Sequence, residues 1–294
     1  MRSGFVIAAV LLATAGTAAA QVVIPGQMHN SFVFELHSVK DEVLLYDGDP
    51  QFLMKADLQP TNTVFPRIDF SNTAQAVVLR VRDLSLFEDT VVDSIQAAED
   101  AELGLDSDPT RRPPVSQVWE IQLAPACAGD YVLTCEGGKG YFDFTDLPVH
   151  EMHLLADTTE VRVEFKRPNS VPLARFKLTS RAGKLRISQF LNARPVTASL
   201  LIDDSVCEVD LTGKAFDGTG EIFIEGIPKS LKIVVPRNAA LRIEGPSSTV
   251  ARFDHAGMVA AGTALEAKDF ATRACRLRLF FSRSIPKLDV QWSD

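Results

Sequence analysis

Basic residues near the C-terminus are the first candidates for chemistry, because a guanidinium group binds carboxylates and phosphates through paired hydrogen bonds. The residues of this candidate binding patch are Arg273, Arg276, Arg278 and Arg283. Arg276 and Arg278 alternate with apolar residues, so they share one face of a predicted strand. They would bind an acidic polymer such as a glycan or teichoic acid, or pair with acidic side chains of a neighbouring strand. Opposite-charge pairs are ordinary in sheets, so the structural role is the more common one.

Acidic residues cluster in a region rich in turn signals, and stacked carboxylates can bind Ca²⁺. The cluster comprises Asp203, Asp204, Asp210 and Asp217. If the chain stacks in repeating units, Asp203 and Asp204 lie beside Ser180-Arg181 on one side and Gly226-Ile227 on the other. A Ca²⁺ site needs about six to eight oxygen ligands, and Asp is also frequent in turns for backbone reasons. We therefore expect turn-forming roles here and no metal or catalytic site.

The segment His150-Glu151-Met152-His153 has residue types that bind metals, but its spacing differs from that of a zinc-binding helix. That helical motif places its two histidines one turn apart on the same face. On a strand or in a turn, His150 and His153 point to different faces. We therefore expect two solvent-exposed histidines and no metal ligands.

The four cysteines are too few for a disulfide-dense scaffold. Cys127 and Cys135 flank Gly129-Asp130, which is typical of a hairpin that a disulfide closes in an oxidising compartment. Cys207 and Cys275 occupy inward positions of predicted strands, where they serve as small core residues. Three pairings of four cysteines remain open, and proximity in sequence favours Cys127 with Cys135.

The N-terminus has the pattern of a secretory signal peptide over residues 1–20. Arg2 precedes the apolar run Phe5–Leu12, and Ala18–Ala20 is a small-residue site, which predicts cleavage between Ala20 and Gln21. The apolar run is shorter than the roughly 20 residues that cross a membrane. We therefore expect a periplasmic or secreted mature chain without a membrane span.

The composition is that of a globular protein with a substantial core. The chain has 294 residues, of which 46% are hydrophobic and 23% charged, and its formal net charge is −8. A nucleic-acid partner needs clustered positive charge, so the acidic balance argues against one.

A repeat of about 22 residues organises the chain from Gly138 onward. One series of inward residues comprises Phe142, Val163, Leu185, Val209 and Ile233, and a second comprises Leu154, Phe176, Leu200 and Ile224. Two interleaved series with one period predict an all-β fold, a flattened single-stranded β-solenoid whose rungs add one strand to each of two sheets. The crossover rule for parallel strands predicts a right-handed coil. A β-sandwich is the alternative, because its strands recur at similar intervals.

The N-terminal part follows the strand pattern less regularly. Its predicted strands are Phe32–Leu36, Val43–Tyr46, Phe52–Ala56, Ile68–Phe70 and Ala76–Val81. A segment at about 86–117 interrupts them, with a short helix predicted over Thr90–Leu103 and a charged, Pro-rich loop over Asp106–Pro114. We expect one solenoid domain over residues 21–294 that contains this helix-loop insertion.

Three groups of motifs resemble the bacterial toast-rack family, which includes domains of cell-wall-active-antibiotics-response proteins and adhesin-like β-solenoids. The motifs are Asp47-Gly48-Asp49 with Phe52–Ala56, then Cys207–Gly213, Gly220–Ile224, Leu231–Pro236 and Leu241–Gly245, and finally Cys275–Phe281 with Leu288–Trp292 as a closing hairpin. The resemblance implies a β-solenoid of the cell envelope and offers no catalytic residues.

These observations predict a non-enzymatic envelope protein, adhesin-like, that binds another envelope protein or a cell-wall polymer without a cofactor. Self-association through an exposed sheet edge is a further expectation. The alternative is a polysaccharide-acting enzyme of the pectate-lyase-like β-helix type. That alternative requires outward carboxylates that converge beside an Arg or Lys on one sheet.

Overall fold

The computed structural model describes residues 12–13, 20–25, 31–39, 41–59, 67–72, 76–82, 118–125 and 129–293. These residues form two β-sheets, which we name sheet A and sheet B, and most neighbouring strands within each sheet run parallel. One short helix, α1 (Ser247–Val250), and two 3₁₀ turns, Phe190–Ala193 and Ala251–Phe253, complete the regular structure of the described ranges. The predicted all-β fold is confirmed.

The strands divide between the sheets as follows. In spatial order, sheet A comprises β1 (Leu12–Ala13), β2 (Ala20–Pro25), β5 (Phe52–Gln59), β8 (Val118–Leu123), β4 (Glu42–Asp47), β10 (Lys139–Asp143), β12 (Glu160–Glu164), β14 (Lys184–Ser188), β16 (Val206–Asp210), β18 (Ser230–Val235) and β23 (Leu288–Trp292). Sheet B comprises β20 (Met258–Ala261), β21 (Ala264–Ala267), β19 (Ala240–Glu244), β22 (Cys275–Phe281), β17 (Gly218–Glu225), β15 (Pro195–Asp203), β13 (Leu173–Arg181), β11 (Val149–Asp157), β9 (Gly129–Glu136), β3 (Ser31–Val39), β7 (Ala76–Arg82) and β6 (Arg67–Asn72).

Between β9 and β18 the chain alternates between the two sheets one strand at a time, so each successive pair of strands is one rung of a solenoid. Strands of successive rungs pair in parallel. This arrangement confirms the two-sheet β-solenoid and differs from a sandwich, in which neighbouring strands run antiparallel. The right-handed sense of the coil stays a prediction.

The exact register differs from the sequence prediction at two of the inward positions. In sheet A, Val163 pairs with Ile187 and not with Leu185, and in sheet B, Leu154 pairs with Leu178 and not with Phe176. Both predicted residues are inward and buried, but each lies two residues too early. A shift of two residues keeps the same face inward, so alternation alone does not fix the register.

The core is continuous along the solenoid, because the inward residues of the two sheets meet between them. Aromatic rings follow one another through successive rungs, with centroids 5.1 Å apart for Tyr131 and Phe144 and 5.8 Å for Phe144 and Phe165. Phe165 then packs 6.2 Å from Phe190. Such contacts add to the free energy gained from burying each ring.

The C-terminal end departs from the simple rung order. Strand β22 lies between β17 and β19, although β19 precedes it in the chain, and β23 lies beside β18 in the other sheet. The predicted closing hairpin of Cys275–Phe281 with Leu288–Trp292 is therefore wrong. Strand β22 pairs with β17 and β19 in sheet B, and β23 pairs with β18 in sheet A. The two strands therefore form one rung.

The N-terminal end contains all five predicted strands, as β3 to β7. Strands β3 and β4 pair in parallel with β9 and β10, so they extend the solenoid. Strands β2, β5 and β6 pair antiparallel with neighbours, which ends the parallel stacking.

Several predicted segments lie outside the described residues. These include the insertion at 86–117 with its helix over Thr90–Leu103, and most of the predicted signal peptide. Ala20 and Gln21 begin β2, and cleavage between them stays a prediction. Among the described residues, no helix has the length and apolar character needed to cross a membrane.

Candidate functional site

The outward face of sheet A carries a groove of about 560 Å³ that crosses the neighbouring strands β12, β14, β16, β18 and β23. We call this groove the sheet A trough. Its charged walls are formed by Glu160, Arg162, Lys184, Arg186, Glu208, Lys232, Lys287 and Asp289. Val206 and Ser230 lie in the same rows, and their smaller side chains leave space between the longer charged ones.

Strand alternation places these side chains. In β14, buried Leu185 lies between outward Lys184 and Arg186. The strands pair without a register shift, so outward residues of successive rungs lie side by side. Neighbouring strands are about 4.8 Å apart, and charged residues that are distant in sequence therefore form continuous rows.

The trough has more basic than acidic side chains, although the whole chain carries a net charge of −8. Glu208 is shared by two cations, with Lys232 Nζ at 3.2 Å and Arg186 Nε at 3.8 Å from its carboxylate. Within the described part of the chain, Lys184 and Lys287 have no acidic partner within 4.0 Å. Two amino groups of the trough are thus free to bind an anion.

Arg162 and Arg186 are direct neighbours across β12 and β14, and about half of each side chain is exposed. Arg162 has an ion pair with Glu160 at 3.1 Å, and Arg186 has only the longer contact to Glu208. Like charges directly opposite each other destabilise a sheet. Neighbouring like charges that destabilise a sheet are expected where a surface is adapted to binding and not to folding.

A second groove, of about 370 Å³, continues the trough across β10 and β4. It shares Glu160 and Arg162 with the trough and adds Glu42, Lys139 and Tyr141. Together the two grooves cross seven neighbouring strands, a span of roughly 29 Å at the usual strand spacing. This length suits an extended ligand better than a compact one.

Lys166 lies beside the second groove and links three side chains. Its amino group donates to Asp143 at 2.6 Å and approaches Glu164 at 3.2 Å, and the Tyr141 hydroxyl donates to Glu164 at 2.8 Å. Partial burial and the hydrogen bond to Glu164 raise the pKa of Tyr141. Partial burial opposes ionisation of Asp143, but hydrogen bonds from Lys166 and Thr145 outweigh it and lower the pKa of that carboxyl. The network therefore holds Tyr141 neutral and Asp143 charged at neutral pH.

The predicted arginine patch is divided by the structure. Arg276 and Arg278 lie on the outward face of sheet B, and Arg278 approaches Glu221 at 3.4 Å. Arg273 precedes the strand and pairs with Asp269 at 2.5 Å. Arg283 follows the strand, roughly 23 Å from Arg276 at the usual rise of a strand. Arg278 thus has the expected partner on a neighbouring strand, and a binding role for the four arginines stays a prediction.

Three aspartates of the predicted acidic cluster make contacts at the turns of the solenoid. Asp203 accepts a hydrogen bond from the Ile227 N–H at 3.0 Å, and Asp210 accepts one from the Thr212 N–H at 2.8 Å. Asp204 pairs with Lys229 at 3.2 Å. These contacts agree with the turn-forming roles that the sequence predicts.

His150 and His153 both lie on the outward side of β11, so the expectation that they point to different faces is wrong. A bulge between Val149 and Glu151 leaves His150 exposed, with Nδ1 3.2 Å from Asp130. His153 lies farther along the outward face, beside Lys177. Over the described ranges, no three His, Cys, Asp or Glu side chains are grouped so as to hold a metal ion.

The three described cysteines are buried, and no two of them are bonded to each other. Burial, together with the charge of Asp41, raises the pKa of Cys135 to about 12. Burial likewise raises the pKa of Cys207, and that of Cys275. All three thiols are therefore protonated and unreactive at neutral pH. The expected hairpin at Gly129-Asp130 is wrong, because these residues begin the continuous strand β9 that contains Cys135. Cys127 lies outside the described residues, so its pairing with Cys135 stays a prediction.

The carboxylates of the trough are dispersed. Glu160, Glu208 and Asp289 lie on β12, β16 and β23, and one intervening strand separates each from the next. Two strand spacings are about 10 Å, so these groups do not converge on one atom. Among the described residues the trough thus offers no support for the pectate-lyase-like alternative.

The trough was not predicted as one surface from the sequence, because only inward residues were aligned at the repeat period. Glu160-Val161-Arg162 and Lys184-Leu185-Arg186 both alternate charged, apolar and charged residues, one repeat apart. Aligning outward positions at the repeat period, in addition to inward ones, would have revealed them.

The chain matches neither a known protein family nor a curated protein. Its fold is similar to a crystal structure of a proposed cell adhesion protein from Clostridium sporogenes. That similarity has a TM-score of 0.46 at 11% sequence identity, and it covers 94% of this chain and 100% of the other.

Proposed function

We propose that the chain is a non-enzymatic binding protein of the cell envelope that holds a linear acidic polysaccharide along the sheet A trough. The observation that carries this proposal is the pair Arg162 and Arg186, two cations in direct register in the wall of one groove. A row of carboxylates on a ligand would relieve their repulsion and pair with Lys184 and Lys287.

The shape of the trough supports an extended ligand. Parallel strands repeat the same geometry from rung to rung, so each unit of a polymer meets a similar surface. Individual contacts are exposed and weak, and affinity arises from their number. Holding an envelope glycan in this way would be an adhesin-like role. Placement of the protein in the envelope rests on the predicted signal peptide.

Binding to immobilised polygalacturonate, with uncharged dextran as the comparison polymer, tests the proposal. We expect binding to polygalacturonate only, with affinity falling as salt screens the exposed charges. Arg186→Gln should weaken binding about threefold, because one exposed ionic contact is lost.

Arg181→Gln is the matched control, since Arg181 is an exposed arginine at the end of β13 in sheet B. It should leave binding unchanged. Equal affinity for dextran, or an equal loss in the Arg181 and Arg186 variants, would show that the trough is not the binding surface.

A further inference from the structure

A separate pocket of about 470 Å³ lies at the C-terminal end of the solenoid, and we call it the C-terminal pocket. Its principal side chains are Arg237, His255, Lys268, Asp269, Arg273 and Trp292. Its volume is within the range of small-molecule sites. None of these residues lines the trough.

Backbone hydrogen bonds hold the walls of the pocket in place. The Ser293 N–H donates to the Val235 carbonyl at 2.9 Å, which anchors the end of β23 beside β18. The Lys268 N–H donates to the Gly257 carbonyl at 3.0 Å, across the base of the β20–β21 hairpin. The pocket is thus built from three chain segments that are tied together by backbone hydrogen bonds.

One wall of the pocket is aromatic. The rings of His255 and Trp292 meet edge to face, with centroids 4.7 Å apart. Trp292 is partly exposed and lines the pocket. A partly exposed indole in a pocket offers apolar surface to a ligand ring.

The pocket also has basic side chains. Arg237, Lys268 and Arg273 line it, both arginines have partners, and Asp269 is the one acidic residue among the described residues that line the pocket. The Arg273 Nε donates to Asp269 at 2.5 Å, and this hydrogen bond lowers the pKa of Asp269. Lys268 is exposed, and its amino group has no ion pair within the described ranges. Lys268 is therefore the basic side chain of the described lining that is available to an anionic ligand.

We propose that the C-terminal pocket binds a single acidic sugar ring, with the ring packed on Trp292 and the carboxylate beside Lys268. A partly exposed indole and a lysine without an ion pair in one pocket match a ligand that has one apolar face and one anionic group. This inference does not depend on binding in the trough.

Intrinsic fluorescence provides a direct test, because the chain has two tryptophans in different environments. Trp119 is fully buried in the core, whereas Trp292 lies in the pocket. Titration with galacturonic acid should change the emission of Trp292. Galactose, which lacks the carboxylate, and acetate, which lacks the ring, should each bind at least about tenfold more weakly. Equal binding of galactose and galacturonate, or no change up to about 10 mM galacturonate, would overturn the proposal.

Two variants locate the binding. Lys268→Gln should weaken galacturonate binding about three- to tenfold. Lys184→Gln, the same substitution in the trough, should leave it unchanged. If Lys268→Gln has no effect, the pocket is not the site. If polygalacturonate fails to bind the trough while galacturonate still changes Trp292 emission, the proposed function falls and the pocket stands.

Discussion

The tight turns between the sheets place ordinary residues in a backbone conformation that favours glycine. Thr158, Ala182 and Asp204 have φ values of 50°, 48° and 51° at equivalent positions of three successive rungs. Each N–H donates to a carbonyl of the next rung, as Ala182 does to Asp203 at 3.0 Å. Stacking therefore stabilises a conformation that costs an L-residue about 1–2 kcal/mol.

The turn at Ala182-Gly183 gives opposite predictions for two neighbouring residues. Ala182→Gly should raise the free energy of unfolding by about 0.5 kcal/mol, because relief of strain exceeds the added entropy of the unfolded chain. Gly183→Ala should lower it by more than about 2 kcal/mol, since the new Cβ would lie 2.3 Å from the Thr159 carbonyl oxygen. Urea unfolding of both variants measures the two effects. Stabilisation by Gly183→Ala would contradict the described turn geometry.

At the scale of single residues, the sequence predicted side-chain environment better than side-chain partners. The inward parity of Cys207 and Cys275 was sufficient to predict their burial. The neighbours of Arg162 and Arg186 depend on which rung positions are in register, and the alternating pattern is the same for a shift of two residues.

The connections from sheet A to sheet B contain buried asparagines that join consecutive rungs. Asn192 donates through Nδ2 to the Phe165 carbonyl at 2.6 Å and accepts from the Lys214 N–H at 2.8 Å. Asn169 makes the same type of two-way contact with Val149. One buried side chain thus satisfies two backbone groups of neighbouring rungs.

Removing the buried asparagine should cost more than removing an exposed one. Asn192→Ala should lower the free energy of unfolding by about 1–3 kcal/mol, because it leaves a buried carbonyl and an N–H unpaired. Asn238→Ala is the control, since Asn238 is exposed and makes one hydrogen bond, to Gly213 at 2.9 Å. Thermal unfolding of both variants measures the difference, and equal losses would contradict the structural role of Asn192.

At the scale of elements, strands β3 to β7, β10 to β19, β22 and β23 were predictable, whereas the other six strands and the order of strands at the ends were not. Alternation of apolar and polar residues determines which segments become strands. It carries no information on which strand lies beside which. Strand β22 lies between β17 and β19, a position that depends on long-range packing. Since the local pattern does not show this packing, a hairpin of β22 with β23 was predicted instead.

The distribution of charge matters at the scale of the whole molecule. If the net charge of −8 were spread evenly over the protein surface, it would argue against a polyanionic partner. The solenoid concentrates five basic side chains and three acidic ones in one trough. Overall charge therefore does not predict the preferred ligand of one surface, since fields act locally at physiological salt.

The most direct test of the account is the position at which an acidic polymer contacts the protein. Carbodiimide-activated polygalacturonate forms amide bonds with nearby lysine amino groups, and peptide mass spectrometry identifies the modified residues. Lys177 is the internal control, because it is exposed on the outward face of sheet B, opposite the trough. We predict that Lys184 and Lys287 are modified at least about fivefold more than Lys177. Equal modification of the three lysines would contradict binding in the sheet A trough.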